Sequence, residues 1–103
     1  MPLNASEASI EAELKTKGLN APRLTPADID AQISFEDYHV FDGTTMTVCA
    51  LHLRNGYVVI GESTAASAEN FDRAIGERIA RENARNKIWA LEGYLLRSRL
   101  SKG

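Results

Sequence analysis

Short runs that are rich in β-branched and aromatic residues predict the middle of this chain to be a sheet. The runs are FEDYHVF at residues 35–41, MTVCALHLR at 46–54 and YVVIGES at 57–63. Asp42-Gly43-Thr44-Thr45 and Asn55-Gly56 lie between them and are typical turn sequences. Because both connections are short, the pattern predicts a three-stranded antiparallel meander.

The Asn55-Gly56 dipeptide predicts the register of the second hairpin. It is the strongest short signal for a two-residue type I′ turn, which places Arg54 opposite Tyr57 and Leu53 opposite Val58. The predicted core face then carries Cys49, Leu51, Leu53, Val58 and Ile60, and the second, more polar face carries Ala50, His52, Arg54, Tyr57 and Val59.

Residues before the sheet predict two short helices. Residues 5–17 are good helix formers, with Ile10 and Leu14 on one thin apolar face and Gly18 as the terminator. Residues 19–24 predict a linker. Thr25 is a good N-cap and Pro26 suits the first helical position, so a helix is expected from there to about residue 34.

One long helix is predicted from about residue 68 to 99, with Ser67 as its N-cap and Gly76 and Gly93 as candidate kinks. The chain therefore reads as an α+β protein in which short helices precede the meander and a long helix follows it. We expect residues 1–24 to be an N-terminal helix and linker, and residues 25–103 to form a single domain.

The long helix changes character in its second half. At 100° per residue, one apolar face carries Phe71, Ile75, Ile79, Trp89, Leu96 and Leu100, and a roughly opposite face carries Ala84, Ile88, Leu91 and Leu95. A helix that is apolar on two sides is buried or has two partners. The pattern predicts self-association through an interface of Ile88, Leu91, Leu95, Leu96 and Leu100. The alternative is that the N-terminal helices cover the second side.

Polar residues of the same helix are candidates for ligand binding. Arg78, Arg81 and Arg85 lie on one stripe, where guanidinium groups could hold an anion or could form a solvated face with local ion pairs. Asn86 is expected to be partly buried near Trp89, so its amide needs the sheet-edge backbone, a second subunit or a ligand as partner. The candidate ligand set is Arg78, Arg81, Asn83, Arg85, Asn86, Lys87, Trp89 and Tyr94. The rings of Trp89 and Tyr94 could stack on a base, or they could pack in the core or an interface.

Composition excludes several classes of function. The net charge of −2 disfavours a general nucleic-acid binder. The single Cys49, expected to be an inert core thiol, and the two histidines argue against a metal site, and we expect no cofactor. No apolar run is long enough to span a membrane, and no secretory signal precedes the domain. A lone histidine in a hairpin, such as His52, is more often structural than catalytic. The sequence shows no catalytic motif, so we predict a non-enzyme.

The chain resembles a family of small bacteriophage proteins typified by gene products 49 and 66 of two phages and also found in prophages. The resemblance rests on CALHLRNGYVVIGES and on SAENFDRAIGERIARENARNKIWALEGYLLRSRL, and it covers residues 46–100, with Thr25-Pro26 to Ile33 as a plausible lead-in. It implies a phage or prophage origin and action in the cytoplasm of the host bacterium. The family brings no established catalytic residues.

Three functions are compatible with these features. The first is an oligomeric, non-catalytic counter-defence protein that acts as a sponge for a cyclic nucleotide immune signal, by analogy of architecture with small phage proteins. The second is an inhibitor or adaptor that binds a host protein through the second sheet face or the N-terminal helix. The third, a nucleic-acid-binding accessory protein, is disfavoured by the acidic balance.

Overall fold

The structure, a computed structural model, describes residues 5–19 and 21–102 and has the predicted α+β architecture. Two short helices, α1 (Ala5–Thr16) and α2 (Pro26–Ala31), precede the strands. Strands β1 (Ile33–Val40), β2 (Met46–Leu53) and β3 (Val58–Thr64) form an antiparallel sheet in the order β1-β2-β3. A 3-10 turn (Ala68–Asn70) then leads to the helix α3 (Arg73–Lys102), which packs on β2 and β3.

Local sequence signals end α1 and begin α2 as predicted. Gly18 adopts a left-handed φ of 68° after α1, and the Leu19 amide donates to the Leu14 carbonyl at 3.0 Å, as in a Schellman ending. Thr25 caps α2 through a reciprocal pair of hydrogen bonds with Asp28, at 3.2 and 2.9 Å. The predicted extent of α2 to about residue 34 was too long, because β1 already begins at Ile33.

The start predicted for the long helix was wrong by one short turn. Ser67 precedes only the 3-10 turn and makes no side-chain capping bond. The α-helix begins at Arg73, where the Asp72 carboxylate accepts a hydrogen bond from the Ile75 amide at 3.0 Å. From there α3 continues for 30 residues, or about 45 Å, through both Gly76 and Gly93.

The predicted register of the β2–β3 hairpin was wrong by one residue. Leu53 pairs with Tyr57 rather than Val58, through a 2.8 Å bond from its amide to the Tyr57 carbonyl, so the loop has three residues, 54–56. Gly56 provides the left-handed residue of this loop, with φ of 89°. A one-residue slip turns every side chain of a strand to the other face.

This slip exchanges the core residues of β3. Val59 is 3% exposed and lies opposite Leu51 in the core, whereas Val58 and Ile60, both expected there, are 40% and 41% exposed. Cys49 and Leu51 are fully buried as predicted, and Leu53 packs against the core. The outer sheet face therefore carries Val58 and Ile60.

Small residues let α3 lie directly on the sheet. Its fully buried apolar side chains are Ala80, Ala84 and Ile88, and Gly76 is also buried, so a four-residue spacing faces the strands. The predicted buried face was wrong for Ile75 and Ile79, which are 46% and 45% exposed. A large side chain in this stripe would lift the helix, so the face with the smallest residues is the one that packs.

The closest approach is at Gly61 of β3. A Cβ atom built there would lie 2.2 Å from the Ala80 carbonyl oxygen and 2.2 Å from the Ala84 amide nitrogen. Both are backbone atoms of α3, so neither can move aside without displacing the helix. Gly61 is therefore required for contact between strand and helix.

Gly61→Ala should reduce the free energy of unfolding by at least about 2–3 kcal/mol, because the methyl group overlaps helix backbone. Urea unfolding followed by circular dichroism measures this. Gly93→Ala is the matched control, since nothing lies within 4 Å of a Cβ at that helical position. It should stabilise α3 by about 0.5–1 kcal/mol. Equal effects of the two substitutions would contradict the close approach.

Candidate functional site

Arg81 of α3 is held by a buried polar contact with β1. Its side chain is 7% exposed, and its Nε donates to Glu36 Oε2 at 2.8 Å. The Tyr38 hydroxyl donates to the other oxygen of the same carboxylate at 2.8 Å. Burial disfavours the ionised Glu36, but the hydrogen bonds from Arg81 and Tyr38 outweigh it and lower the pKa of this carboxyl.

Arg85 connects α3 to both N-terminal helices. Its Nε donates to Asp30 Oδ1 at 2.8 Å, its Nη1 donates to the Glu7 carboxylate, and its Nη2 contacts the Pro26 carbonyl at 3.4 Å. Burial favours the neutral guanidine, but the hydrogen bonds to Glu7 and Asp30 outweigh it and raise the pKa of Arg85. The Trp89 indole donates to Glu7 as well, at 3.3 Å, so Trp89 closes this cluster.

The structure divides the candidate ligand set into two groups, which lie on different sides of α3. Arg81, Arg85 and Trp89 face β1, α2 and α1, and both guanidinium groups are held by carboxylates of the protein itself. The expectation of a solvated arginine face was wrong for these two residues. The exposed members are Arg78, Asn83, Asn86, Lys87 and Tyr94.

Asn83 makes the polar bridge that was predicted for Asn86. Asn86 is exposed rather than partly buried, so that expectation was wrong. The Asn83 amide donates to the Glu62 carbonyl oxygen of β3 at 2.8 Å. The sheet-edge backbone is therefore the partner, one of the three alternatives considered for an asparagine in this segment.

A groove runs between α3 and the free edge of β3, and we call it the edge groove. Its first part, of about 340 Å³, is lined by Ile60, Gly61, Glu62, Asn83 and Lys87. Its second part, of about 440 Å³, shares Ile60 and Lys87 with the first and is completed by Tyr57, Val58, Val59, Ala90 and Leu91. The groove combines strand-edge backbone with both polar and apolar side chains of α3, and its charged lining residues are Lys87 and Glu62.

The edge groove opens into an apolar depression at the hairpin tip, which we call the tip pocket. It has a volume of about 370 Å³, and Tyr57, Ala90 and Leu91 line both. Its other apolar lining residues are Leu53, Ile88, Tyr94 and Leu95. Tyr57 and Tyr94 are 57% and 75% exposed, so two aromatic rings flank the opening. Such a pocket suits an apolar side chain of a partner.

The predicted interface residues divide between this pocket and the helix beyond it. Ile88, Leu91 and Leu95 line the tip pocket, whereas Leu96 and Leu100 do not. Leu91, Leu95 and Leu100 are 39%, 50% and 50% exposed, and Leu96 is half-buried. Ile88 is fully buried in the core of its own subunit, so assigning it to an exposed interface was wrong. The last fully buried side chain of α3 is therefore Ile88, and the exposed part of the helix begins after this residue rather than before it.

Sequence reasoning missed the exposed strand residues of the edge groove. Val58 and Ile60 were assigned to the core because Asn55-Gly56 predicts a two-residue turn. Arg54-Asn55-Gly56 also fits a three-residue loop that ends in a left-handed glycine, and that alternative would have placed both side chains outward. No sequence pattern identified Ala90 as a groove residue, because a single alanine in a helix is common.

Two other ionisable side chains, His52 and Cys49, lie outside the lining of the edge groove and the tip pocket. His52 lies on the outer sheet face, where its Nε2 is 2.8 Å from Asp37 Oδ2 and its ring stacks on Phe35 at 4.0 Å between centroids. Burial raises the pKa of the Cys49 thiol, which favours its neutral form.

Two further features bear on the kind of site. Within residues 5–19 and 21–102, no group of three or more His, Cys, Asp or Glu side chains is placed to hold a metal ion. Among the same residues, no helix has both the length and the apolar character that a membrane crossing requires.

A protein-family model matches most of the chain. The model of the family described as Phage protein (N4 Gp49/phage Sf6 gene 66) matches residues 24–100. This segment contains α2, the whole sheet, the edge groove, the tip pocket and most of α3, and it excludes α1. No curated protein and no solved structure matches the chain.

Arg85→Ala should reduce the free energy of unfolding by about 3–5 kcal/mol, because it leaves Asp30 and Glu7 without their buried cation. Arg78→Ala, on the same helix and exposed, should change it by less than about 0.5 kcal/mol. Urea unfolding at neutral pH measures both. Similar effects from the two variants would show that the Arg85 cluster does not anchor the helices.

The pair of Glu36 and Arg81 should make stability depend on acid pH. Because the folded-state pKa of Glu36 lies below its ordinary value of 4.5, the pair's contribution is fully present above that value. It is lost as the pH falls through the lower folded-state pKa. The stability difference between the wild type and Glu36→Gln should therefore shrink between pH 6 and pH 3, as urea midpoints would report. A difference that does not change with pH would contradict the assignment.

Proposed function

Because the chain belongs to the phage protein family of N4 Gp49 and phage Sf6 gene 66, we propose that it is a non-catalytic phage accessory protein that binds a host protein. It would act in the cytoplasm of the host bacterium, as an inhibitor or adaptor that counters a host defence. The observation that carries this proposal is the tip pocket, an apolar depression flanked by two exposed tyrosines.

The composition of this surface supports protein binding. Tyrosine is enriched among residues that dominate interface energies, and leucine provides apolar area around it. Tyr57, Leu91, Tyr94 and Leu95 come from the hairpin tip and from the part of α3 that follows Ile88. Contiguous apolar surface of this kind usually marks an interaction site in a soluble protein.

A second candidate is the oligomeric sponge for a cyclic nucleotide immune signal. It is favoured by Lys87, Asn83 and the ring of Tyr57, which lie along one groove and could hold a phosphate and stack on a base. Arg81 and Arg85 would contribute little, because their guanidinium groups are already bound to carboxylates. The sponge would also need the predicted self-association, through Leu91, Leu95, Leu96 and Leu100, to enclose its ligand.

Leu91→Glu should abolish binding of the host protein, because it places a charge inside the tip pocket. Leu100→Glu is the matched control, since it adds the same charge to the same helix outside the pocket. Tagged protein would be expressed in the host bacterium and its bound proteins quantified by mass spectrometry. We expect one host protein to be retained by the wild type and by Leu100→Glu, and to be reduced at least about tenfold by Leu91→Glu.

Measurements of nucleotide binding and of oligomeric state separate the second candidate from the first. Calorimetry against a panel of cyclic nucleotides, together with light scattering, would be run on purified protein. Saturable heat that is lost in Lys87→Ala, from an oligomer that Leu91→Glu dissociates, would favour the sponge. A host protein retained equally by both leucine variants would contradict the proposed binding surface.

A further inference from the structure

β3 is an edge strand whose outward backbone groups face the edge groove. Leu53 and Tyr57 form a hydrogen-bonded pair, and antiparallel ladders alternate, so Val59 and Gly61 direct their backbone groups to β2. The amides and carbonyls of Val58 and Ile60 therefore point away from β2, into the groove. Unpaired groups along an edge are a template for one more strand.

Asn83 marks where this free edge ends. The Glu62 carbonyl, next in the outward series after Ile60, already accepts the Asn83 side-chain amide at 2.8 Å. The free stretch is thus limited to Val58 and Ile60, with four backbone groups. Lysine, proline and bulges commonly protect natural edge strands, and the stretch from Val58 to Gly61 carries no charged residue or proline.

A second copy of this chain does not suit this edge. At Gly61 the backbone of α3 lies directly on β3, and Asn83 reaches past it to the outward carbonyl. Pairing β3 with its own copy would place both α3 helices on one face of the joined sheet, side by side over edge strands about 5 Å apart. Packed helices need about 8–10 Å between their axes. An extended segment without a helix above it avoids this clash.

The charge of the groove specifies the segment further. Lys87 lines both parts of the edge groove, whereas Glu62 lines only the first part, so the charged lining residue of the second part, beside Val58, is Lys87. Lys87 makes no ion pair with the residues that the structure describes. Ala90 and Leu91 provide an apolar wall beside it, with room left by the alanine methyl group. A carboxylate side chain near Lys87, with apolar side chains at alternate positions, would complement this surface.

We propose that the edge groove binds an extended, acidic and apolar peptide segment of a partner protein by adding it as a fourth strand beside β3. The main chain of the segment exchanges hydrogen bonds with Val58 and Ile60, and one of its carboxylates pairs with Lys87. About five residues of strand span the distance from Tyr57 to Glu62. This inference rests on the proposed function, for which it supplies the form of the ligand.

Ile60→Pro tests the main-chain contact directly. The substitution removes an outward amide and no β2–β3 hydrogen bond, and proline is tolerated at such edge positions. Ile60→Thr keeps the amide and is the matched control. A display library of random dodecapeptides would be selected on the folded wild-type protein, and the most enriched peptide, labelled with a fluorophore, would be titrated by anisotropy.

We expect enriched peptides to alternate β-branched and other residues and to carry aspartate or glutamate. Ile60→Pro should weaken the selected peptide at least about tenfold and Ile60→Thr less than about threefold. Lys87→Glu should weaken binding of the selected peptide by a factor similar to that of Ile60→Pro. Bound peptide should also slow hydrogen exchange at the amides of Val58 and Ile60. Ala90→Phe fills the groove from α3 and gives the same readout if Ile60→Pro does not fold.

Strand addition would be overturned by the absence of any enriched peptide, by enriched peptides with apolar residues at helical spacing, or by an affinity unchanged in Ile60→Pro and Ala90→Phe. A β3-mediated dimer that Ile60→Pro dissociates would also overturn it, because a second copy would then occupy the edge. Host-protein capture that depends on Leu91 but not on Ile60 would reject strand addition and keep the proposed function. Peptide binding that depends on Ile60, without any host protein captured, would keep the groove and reject that function.

Discussion

The contact between α3 and Gly61 determines how the other parts of the protein are placed. The helix backbone lies on the strand backbone, because glycine on one side and Ala80 and Ala84 on the other leave no side chain between them. This contact is on an edge strand, so the helix packs on β3 as well as on the middle strand β2. The edge groove between helix and strand is a consequence of that position.

Two buried arginines then fix the rotation of α3 about its axis. Arg81 contacts β1 and Arg85 contacts α2 and α1, so one side of the helix is tied to three other elements. Buried charges are costly unless they are paired, and here each guanidinium meets a carboxylate. With that side of the helix committed to ion pairs, the side that carries Asn83, Lys87 and Leu91 is left over β3 and the groove.

The same arrangement separates the structural role of α3 from its proposed binding role along its length. Up to Ile88 the helix contributes to the core, and beyond it the leucines are partly exposed beside the hairpin tip. The three-residue loop at Asn55-Gly56 places Tyr57 at this point and turns Val58 and Ile60 outward. Both the apolar pocket and the strand edge therefore belong to one continuous surface.

The sequence predicted the element order, the end of α1, the N-cap of α2 and the phage family, the first three from residues that are close in the chain. Thr25, Gly18 and the three strand runs act locally, and local signals were sufficient. It also determined that Cys49 and Leu51 are core residues, which any register of the hairpin would leave on one face of β2.

Tertiary contacts set the register of β3, the buried face of α3 and the partners of its arginines. A turn of two residues and a turn of three are both compatible with Asn55-Gly56, and each places opposite side chains in the core. Ile75 and Ile79 are more apolar than Gly76 and Ala80, but the close approach to Gly61 selects the small residues. Glu36, Asp30 and Glu7 are distant in sequence from the arginines they bind, so periodicity within one helix could not identify them.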